Sequence, residues 1–328
     1  MRQIALENDN RDQAEVGVMR DTTIQDYQSR ILKVLVYIQK NLNEQFSLDE
    51  LAAIASFSSF HFHRIFRGMV GESVKEHVRR LRLERAAHRL RFTGQPVTEI
   101  AFDAGYETHE SFTRAFGAMF GEPPTEFRNN HRAVAHGAAP SGVHYASDGS
   151  VDALKAPRPD KPIEVRVETL DGLRVAFARH VGAYDEVGSA WQRLMSWAMR
   201  SGVLGPATRM IGIVHDDPEV TPPDKMRYDA AIPVDDKVKP DRDIGIQQLD
   251  AGRYAIATHR GPYARIGDTY ARLCGEWLPG SGRELSAAPA LELYRNSPMT
   301  AAPEDLVTDI YLPIATGSEA ISHRRRAE

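Results

Sequence analysis

The chain has 328 residues and a mass of 36.6 kDa, a length that predicts about two domains. Its composition, with 42% hydrophobic and 26% charged residues, excludes a wholly disordered protein. No run approaches about 18 apolar residues, and the N-terminus has no apolar signal segment, so we expect neither a membrane span nor secretion. One cysteine, Cys274, cannot form an internal disulfide, which favours a cytoplasmic location.

The net charge of −4 averages regions of opposite character. Residues 60–92 contain nine Lys and Arg against three Asp and Glu, a net charge of +6. Local clusters of this kind, rather than whole-chain charge, determine binding to phosphate backbones. The region therefore predicts either a nucleic-acid contact or a solvated helix face.

The first elements of the chain are a tail and a pair of short helices. Residues 1–23 are polar and acidic, which predicts a disordered N-terminal tail. Residues 24–132 have helical periodicity. Within them a capping box at Ser47–Glu50 begins a short helix, and after a break a second helix begins at Ser59. The apolar stripe of the second helix is Phe62, Ile65, Phe66 and Met69.

The same design recurs about 50 residues later. Pro96 begins a helix with the sequence VTEIAFDA, Gly105 and Tyr106 form a turn, and THESFTRAFGAMF forms the next helix. A helix of about 19 residues lies between the two pairs and spans ~29 Å. Successive major-groove segments on one face of B-DNA lie ~34 Å apart. We therefore predict two helix-turn-helix units; the alternative is an all-helical interaction domain.

Residues 24–132 resemble the DNA-binding domain of the AraC/XylS family. The matching stretches are LDELAAIASFSSFHFHRIFRGMVGESVKEHVRRLRLERAAHRLR and IAFDAGYETHESFTRAFGAMFGEPPTEFR. The closing pattern of the family is present as Gly121, Pro124, Phe127 and Arg128. The resemblance implies double-stranded promoter DNA as a partner, contact with RNA polymerase, activation rather than repression, and association with the nucleoid when bound to DNA.

In that family the second helix of each unit enters the major groove. The resemblance implies base or backbone contacts by Ser59, Phe60, His63, Arg64, Arg67, His109, Glu110, Ser111, Thr113 and Arg114. The basic side chains of the connecting helix, including Arg79, Arg80, Arg82 and Arg85, are expected to neutralise phosphates. Arg64 and Arg114 can each form two hydrogen bonds with guanine, and Phe60 can pack on a thymine methyl group. His63 departs from the glutamine common at this position in the family, so no operator sequence follows.

The second half of the chain differs in composition and repeats itself. Residues 133–161 are rich in Ala, Gly, Ser and Pro, which predicts a linker. Alternating runs such as IEVRVETL and RVAFARHV predict strands after it, in a domain over 162–316 with a tail at 317–328. Residues 169–194 align with 248–273 at an offset of 79, and the matches continue at an offset of 80.

The two repeats predict one domain built twice. The pairs at offset 79 are Leu170/Leu249, Asp171/Asp250, Arg174/Arg253, His180/His259, Gly182/Gly261, Tyr184/Tyr263, Gly188/Gly267, Arg193/Arg272 and Leu194/Leu273; those at offset 80 are Pro218/Pro298, Asp229/Asp309 and Pro233/Pro313. Each unit is predicted as strand, helix, strand, strand. We therefore expect a multi-domain protein, an all-α double helix-turn-helix domain followed by a duplicated α+β (βαββ twice) domain with a cleft between its halves.

Residues 161–316 resemble the GyrI-like, SHS2-type effector-binding domain. The motifs are RHVGAYDEVGSAW, THRGPYARIGDTYARL, LELYRNSP and TDIYLP, and a GyrI-like domain behind an AraC-type domain is the organisation of Rob-like regulators. The resemblance implies a hydrophobic, cationic small-molecule effector bound by Glu292 and aromatic rings, which suits cation–π attraction. The candidate ligand-binding residues are Tyr184, Trp191, Tyr263, Tyr270, Glu292, Tyr294 and Tyr311.

Two other functions remain open at this point. Some GyrI-like proteins resemble hydrolases of cyclopropane-containing compounds, and Glu292 with Tyr263 would then form an acid–base pair. A weaker alternative is an inhibitor-type protein whose C-terminal half binds another protein. His180 and His259 repeat, but no acidic or sulfur partner lies at metal-binding spacing, so we expect no metal and no cofactor.

Overall fold

The computed structural model describes residues 23–130, 138–152, 154–157 and 160–315, and describes Phe60 by its backbone alone. The predicted tails 1–23 and 317–328 lie, except for residue 23, outside the described residues, and so does the side chain of Phe60. The chain divides into two compact units, Met1–Pro159 and Asp160–Glu328. Among the described residues, no helix combines the length and apolarity that crossing a membrane requires.

The described part of the first unit is helical. Its helices are α1 (residues 23–40), α2 (Leu48–Ile54), α3 (Ser59–Val70), α4 (Val74–Phe92), α5 (Val97–Asp103), α6 (His109–Phe120) and α7 (Pro124–Asn130). The hydroxyl groups of Ser47, Ser58, Ser73 and Thr108 each accept a backbone N–H at the start of a helix, which satisfies donors that the helix itself cannot. The two predicted helix-turn-helix pairs are therefore present as α2–α3 and α5–α6.

The predicted apolar stripes form the core of each pair. Phe62, Ile65 and Phe66 of α3 are at most 1% exposed, and Phe112 and Phe116 of α6 are fully buried. The second pair packs on the C-terminal half of α4, because one hydrophobic cluster joins residues of α4, α5, α6 and α7. Period-3.6 patterning thus predicted these core positions correctly.

Two arginines of helix α4, Arg82 and Arg85, link it to the neighbouring parts of the two pairs. Arg82 donates to the backbone carbonyls of Leu42 and Glu44, ahead of α2. Arg85 donates to the carbonyl of Asp103, at the end of α5. Each bond satisfies a carbonyl that has no partner within its own helix or loop, so much of the positive charge predicted for residues 60–92 is used inside the unit.

The segment predicted as a linker packs against the first unit over its described residues. Ser141 and Val143 are 0% and 3% exposed, and the backbone N–H of Tyr145 donates to the buried carboxylate of Glu84 at 2.7 Å. Pro140 and Pro157 lie against Gly71, the left-handed residue that ends α3. Residues 138–152 and 154–157, which we call the strap, are therefore packed as part of the first unit, and Glu84 of α4 accepts a hydrogen bond from their backbone.

The second unit is an eight-stranded antiparallel sheet with helices on one face. Its elements are β1 (Arg166–Leu170), β2 (Leu173–Val181), α8 (Gly188–Arg200), β3 (Met210–Val214), β4 (Arg227–Pro233), β5 (Gly245–Leu249), β6 (Gly252–Arg260), α9 (Ile266–Arg272), a π-helix (Leu273–Trp277), α10 (Leu278–Gly280), β7 (Ala290–Tyr294) and β8 (Val307–Ile314). The strand order is β1-β6-β8-β7-β3-β4-β2-β5. Each predicted βαββ unit is present, preceded by one further strand that pairs with the opposite repeat.

The order of the strands has a pseudo-twofold axis between β3 and β7. Exchanging each strand of the first repeat for its counterpart in the second returns the same order. Gly212 pairs with Glu292 at the middle of β3 and β7, and these two residues are 80 positions apart, the offset of the repeat. The axis therefore passes beside Glu292, whose counterpart is a glycine.

The change of offset from 79 to 80 has a structural cause. Leu194 and Leu273 match at 79, whereas Trp197 and Trp277 match at 80, so the second helix contains one extra residue between them. That interval is the π-helix Leu273–Trp277, in which the N–H of Leu278 bonds to the carbonyl of Leu273. A π-turn accommodates an inserted residue without ending a helix, so both helices keep the same packing before and after it.

Candidate functional site

The second helix-turn-helix pair presents its second helix to solvent. Glu110 and Arg114 of α6 are exposed and His109 is half-buried. The hydroxyl of Ser111 is already engaged, because it donates a hydrogen bond to the carbonyl of Thr108 in the helix cap. Thr113 is half-buried. Of the five α6 residues predicted to contact DNA, Glu110 and Arg114 are thus exposed, whereas the other three are half-buried.

The first pair differs, because two of the α3 residues expected to contact DNA are buried. His63 and Arg64 of α3 are 3% and 5% exposed. Arg64 lies about 150° around the helix from the centre of the apolar stripe, so α3 is enclosed on more than its core-facing side. Ser59 is held by a hydrogen bond from its hydroxyl to Asp49, and Arg67 is half-buried.

The two arginines predicted to contact phosphates occupy opposite environments. Arg79 is exposed, but Arg80 is 7% exposed and donates to Glu72 at 2.6 Å and to Glu84 at 3.0 Å. Burial alone would raise the pKa of Glu72, but hydrogen bonds from His77 and Arg80 outweigh it and hold that pKa at about 2. The prediction for Arg80 is corrected: the side chain is buried and its charge is paired with the half-buried Glu72 and the buried Glu84.

In the second unit, Glu292 lies in a cluster of aromatic rings, which we call the cleft. It is 7% exposed on β7, on the sheet face that carries α8 and α9. The hydroxyl of Tyr294 donates to Glu292 Oε2 at 2.6 Å, and that of Tyr270, from α9, lies 3.4 Å from Oε1. The cleft therefore holds one carboxylate with two phenol donors.

The rim of this cleft is made of partly exposed rings. Tyr263 and Trp191 each form an edge contact with the ring of Tyr294, at 5.3 Å and 5.7 Å between centroids. Tyr184 and Tyr263 occupy equivalent positions at the two short 3-10 turns, so each repeat contributes one tyrosine. Six of the seven predicted ligand-binding residues belong to this cluster, namely Tyr184, Trp191, Tyr263, Tyr270, Glu292 and Tyr294.

Tyr311 was predicted for the cleft, and the structure places it on the other face of the sheet. It pairs with Leu291 in the β7–β8 register and packs against Tyr254 in the apolar cluster opposite the helices. Alternate residues of a strand point to opposite faces, so a partner of Leu291 cannot share the face of Glu292. The register between β7 and β8, which the sequence does not supply, decides this point.

Sequence reasoning missed one cleft residue, Tyr228 of β4. Its hydroxyl receives a hydrogen bond from the indole N–H of Trp191 at 3.1 Å and lies 2.9 Å from the hydroxyl of Tyr294. Its ring lies over Gly212, where an added Cβ would come within 2.5 Å of the phenol oxygen. The sequence did contain a signal for Tyr228: the second repeat has Glu292 where the first has Gly212, and a glycine leaves room for a large neighbouring ring.

Burial and negative charge both raise the pKa of the phenols around Glu292. Burial, followed by the charge of Glu292, raises the pKa of Tyr228, of Tyr263 and of Tyr294 above the ordinary value of 10.0. These hydroxyls are therefore protonated at neutral pH. Of the three, Tyr294 donates to Glu292, whereas Tyr228 accepts from Trp191 and lies within hydrogen-bond distance of the Tyr294 hydroxyl.

The repeated histidines have a structural role. His180 Nε2 lies 2.9 Å from the carbonyl of Ala183, and His259 Nε2 lies 3.2 Å from that of Pro262. Each closes the glycine turn that presents Tyr184 or Tyr263. Gly182 has φ +150°, and a Cβ there would lie 2.9 Å from the His180 ring. The motif His-x-Gly-x-Tyr is thus explained by turn geometry.

Comparisons with known proteins match both units. Residues 51–130 match the model of a helix-turn-helix domain, and residues 163–315 match the GyrI-like small molecule binding domain. The chain is 31% identical over 126 residues to the transcriptional regulator Rob of Salmonella typhimurium, which covers 38% of this chain and 39% of Rob. The chain therefore spans well under two thirds of the length of that relative.

Two further relatives each match one unit. The HTH-type transcriptional activator AarP of Providencia stuartii is 35% identical over 103 residues, 31% of this chain and 76% of AarP. The probable transcriptional regulator YgiV of Escherichia coli is 29% identical over 157 residues, 47% of this chain and 97% of YgiV. The chain belongs to the AraC-type helix-turn-helix regulators and has a C-terminal GyrI-like small-molecule-binding domain.

Proposed function

We propose that the chain is a one-component transcription regulator in which the first unit binds promoter DNA and the second binds a lipophilic cation. The observation that supports it most directly is Glu292, a buried carboxylate among aromatic rings at the pseudo-twofold axis of a unit joined to two helix-turn-helix pairs. Rings supply apolar area and cation–π attraction, and the carboxylate supplies charge.

Base contacts are assigned first to α6. His109, Glu110 and Arg114 are accessible and begin at the N-terminus of the helix, the end that enters the major groove in helix-turn-helix proteins. The same proposal for α3 requires that His63 and Arg64 become exposed when DNA binds. Arg79 is assigned to phosphate contact, and Arg80 is withdrawn from it.

A set of arginine variants tests the DNA assignment on a duplex that the chain selects from a random pool. Arg114→Ala should lose about 1–3 kcal/mol of discrimination at one base position. Arg79→Ala should weaken all sequences evenly and reduce the salt slope by about one. Arg80→Ala is the matched control, and should lower thermal stability while leaving the salt slope unchanged. Equal effects of Arg114→Ala on every sequence would contradict base contact.

Ligands of equal shape and different charge test the effector assignment. Benzyltrimethylammonium and neutral neopentylbenzene differ by one nitrogen for one carbon. Glu292→Gln keeps the size of the side chain and should weaken the cation about tenfold, or ~1.4 kcal/mol, with little change for the neutral compound. Isothermal titration of the full chain measures both. Equal losses for the two ligands would remove Glu292 from the binding site.

We further propose that the chain activates transcription through contact with RNA polymerase. It is supported by the relative AarP, which is described as a transcriptional activator. In vitro transcription from a promoter containing the selected site should rise on addition of the chain. A fall in transcript would indicate repression instead.

A hydrolase is the second candidate, because Tyr294 and Glu292 form a short hydrogen bond of 2.6 Å. General acid catalysis is most effective when the pKa of the acid lies near the working pH. The raised pKa of Tyr294 therefore favours binding over turnover. Incubation with cyclopropane-containing compounds decides the matter, since turnover abolished by Glu292→Gln would establish the hydrolase.

A further inference from the structure

The extra residue in the second repeat places a carboxylate where the first repeat has none. Between the matched leucine and tryptophan, the first repeat has Met195–Ser196 and the second has Cys274–Glu276. Glu276 lies in the π-helix and is 24% exposed. The insertion thus gives the second helix a charged side chain at a position that its counterpart fills with serine.

Glu276 and Arg272 together hold the chain where it enters the second unit. The backbone N–H of Ile163 donates to Glu276 Oε1 at 2.6 Å. Arg272 Nη2 donates to the carbonyl of Lys161 at 2.5 Å, and its Nε donates to Glu276 Oε2 at 3.1 Å. We call these four residues the entry clip; they fix both a donor and an acceptor of the segment that precedes β1.

The first repeat has no such clip. Arg193, the counterpart of Arg272, donates instead to the carbonyl of Arg179 in the neighbouring strand β2. The segment that precedes β5, residues 241–244, is separated from α8 by an open groove. The clip therefore occurs in the repeat that receives the chain from the first unit, and the equivalent place in the other repeat is open.

The helix that makes the clip also contacts the effector cleft. Tyr270 lies two residues before Arg272, and its hydroxyl is 3.4 Å from the Glu292 carboxylate, a long contact for a hydroxyl donor. A cation bound at Glu292 competes for that oxygen. Tyr270 and Glu276 lie six residues apart on the same helix, with part of the π-turn between them, and such turns are frequent at functional sites.

The other end of the same segment is anchored on the first unit. Glu84 of α4 accepts from the N–H of Tyr145 and lies 3.0 Å from His144 Nδ1. Pro157, near the end of the strap, lies against Gly71 at the end of α3. Three residues separate Pro157 from Lys161 in the chain. The covalent connection between the units is thus short and is held on both sides.

We propose that the entry clip transmits the state of the effector cleft to the strap and so to the first helix-turn-helix pair. This inference rests on the proposed function and names its regulation. A ligand shifts an equilibrium only through different contacts in the two states, and the Tyr270–Glu292 contact is such a difference. Effector binding weakens the hydrogen bonds of the clip. The contacts of the strap with α3 and α4 then change, and with them the conformations that these two helices populate.

Hydrogen exchange on the full chain tests the proposal without any ligand. Tyr270→Phe and Glu292→Gln, which alter only the cleft, should each accelerate exchange of the amides at 161–165 by about threefold or more. The amides at 240–244, the equivalent segment of the first repeat, should be unchanged. Wild-type exchange at 161–165 in both variants overturns the proposal.

A second arm uses benzyltrimethylammonium and the selected DNA duplex. Glu276→Ala should bind the cation within twofold of wild type but lose the cation-dependent change in DNA affinity. Arg272→Ala removes the hydrogen bond to Lys161 and should also lose the cation-dependent change in DNA affinity. It serves as the second variant if Glu276→Ala fails to fold. Arg193→Ala, the counterpart in the first repeat, is the control and should keep the change.

The outcomes separate the two proposals. A cation-dependent change retained in Glu276→Ala and Arg272→Ala overturns the clip while the effector assignment stands. Failure of the cation to bind wild type overturns the effector assignment, and the exchange arm still decides whether cleft and clip are coupled.

Discussion

The two repeats of the second unit share a scaffold and differ at its centre. Turn histidines, glycine turns and the buried aspartates occur in both. On the axis, Gly212 faces Glu292, and Tyr228 corresponds to Thr308. Away from it, the π-helix Leu273–Trp277 has no counterpart in α8. Duplication thus supplies a symmetric frame, and a few divergent residues place one carboxylate, Glu292, beside its axis.

Replacing Gly212 by glutamate, which makes the two repeats alike at the axis, should cause the largest loss in the free energy of unfolding. In Gly212→Glu the new Cβ lies 2.5 Å from the Tyr228 hydroxyl, and a second carboxylate stands beside Glu292. Overpacking costs about 1–3 kcal/mol and an uncompensated buried charge about 3–5 more, so we expect a loss of at least about 4 kcal/mol. All three tryptophans lie in this unit, so their fluorescence during urea unfolding measures it.

Gly205→Glu is the matched control for that change. A Cβ at Gly205 meets no atom within 4 Å, so the same substitution should alter the free energy of unfolding by less than about 0.5 kcal/mol. A loss at Gly212→Glu no greater than at Gly205→Glu would show that the axis tolerates two carboxylates.

The buried aspartates that both repeats share should make the stability of the second unit depend on pH. Burial alone would raise the pKa of Asp229, but hydrogen bonds from Arg179 and His215 hold it at about 2. A pKa lower in the folded than in the unfolded state means stability that is present above about pH 4 and lost as pH falls towards 2. The contribution is about 2 kcal/mol. Asp229→Asn should flatten the stability curve over that window.

Asp309→Asn should act in the same direction, because the pKa of Asp309 is also lowered: burial opposes the shift, and hydrogen bonds from Thr258 and Arg295 outweigh it. Urea unfolding at several pH values, followed by tryptophan fluorescence, gives both curves. An unchanged slope in Asp229→Asn would show that this carboxylate is not responsible for acid sensitivity.

Patterns of apolar residues predicted the fold well, because periodicity depends on the local chain alone. The stripe of Phe62, Ile65 and Phe66 is buried as expected. The duplication followed from identities at fixed offsets, and the strand–helix–strand–strand order is present. The extra strands β1 and β5 were not counted in the repeat, since their pairing partners lie in the opposite repeat.

The positions of some charged and strand residues were predicted less well, because their environments depend on distant partners. Arg80 looked like a phosphate contact, yet Glu72 and Glu84 enclose it. Tyr311 looked like a cleft residue, but the β7–β8 register turns it to the other face. Tyr294 and Glu292, two positions apart in one strand, were correctly placed together because alternation alone decides their face.

The smallest expected effect tests the π-helix itself. Deleting Gly275 restores between Leu273 and Trp277 the spacing that Leu194 and Trp197 have in α8, so the residues before and after it keep the packing that the first repeat already uses. The loss is the hydrogen bond from Ile163 to Glu276, about 1 kcal/mol. Unfolding by urea should show that small change, with exchange at 161–165 accelerated. A loss above about 3 kcal/mol would mean that the insertion serves packing, and the contrast between the two helices would then concern the core and not the clip.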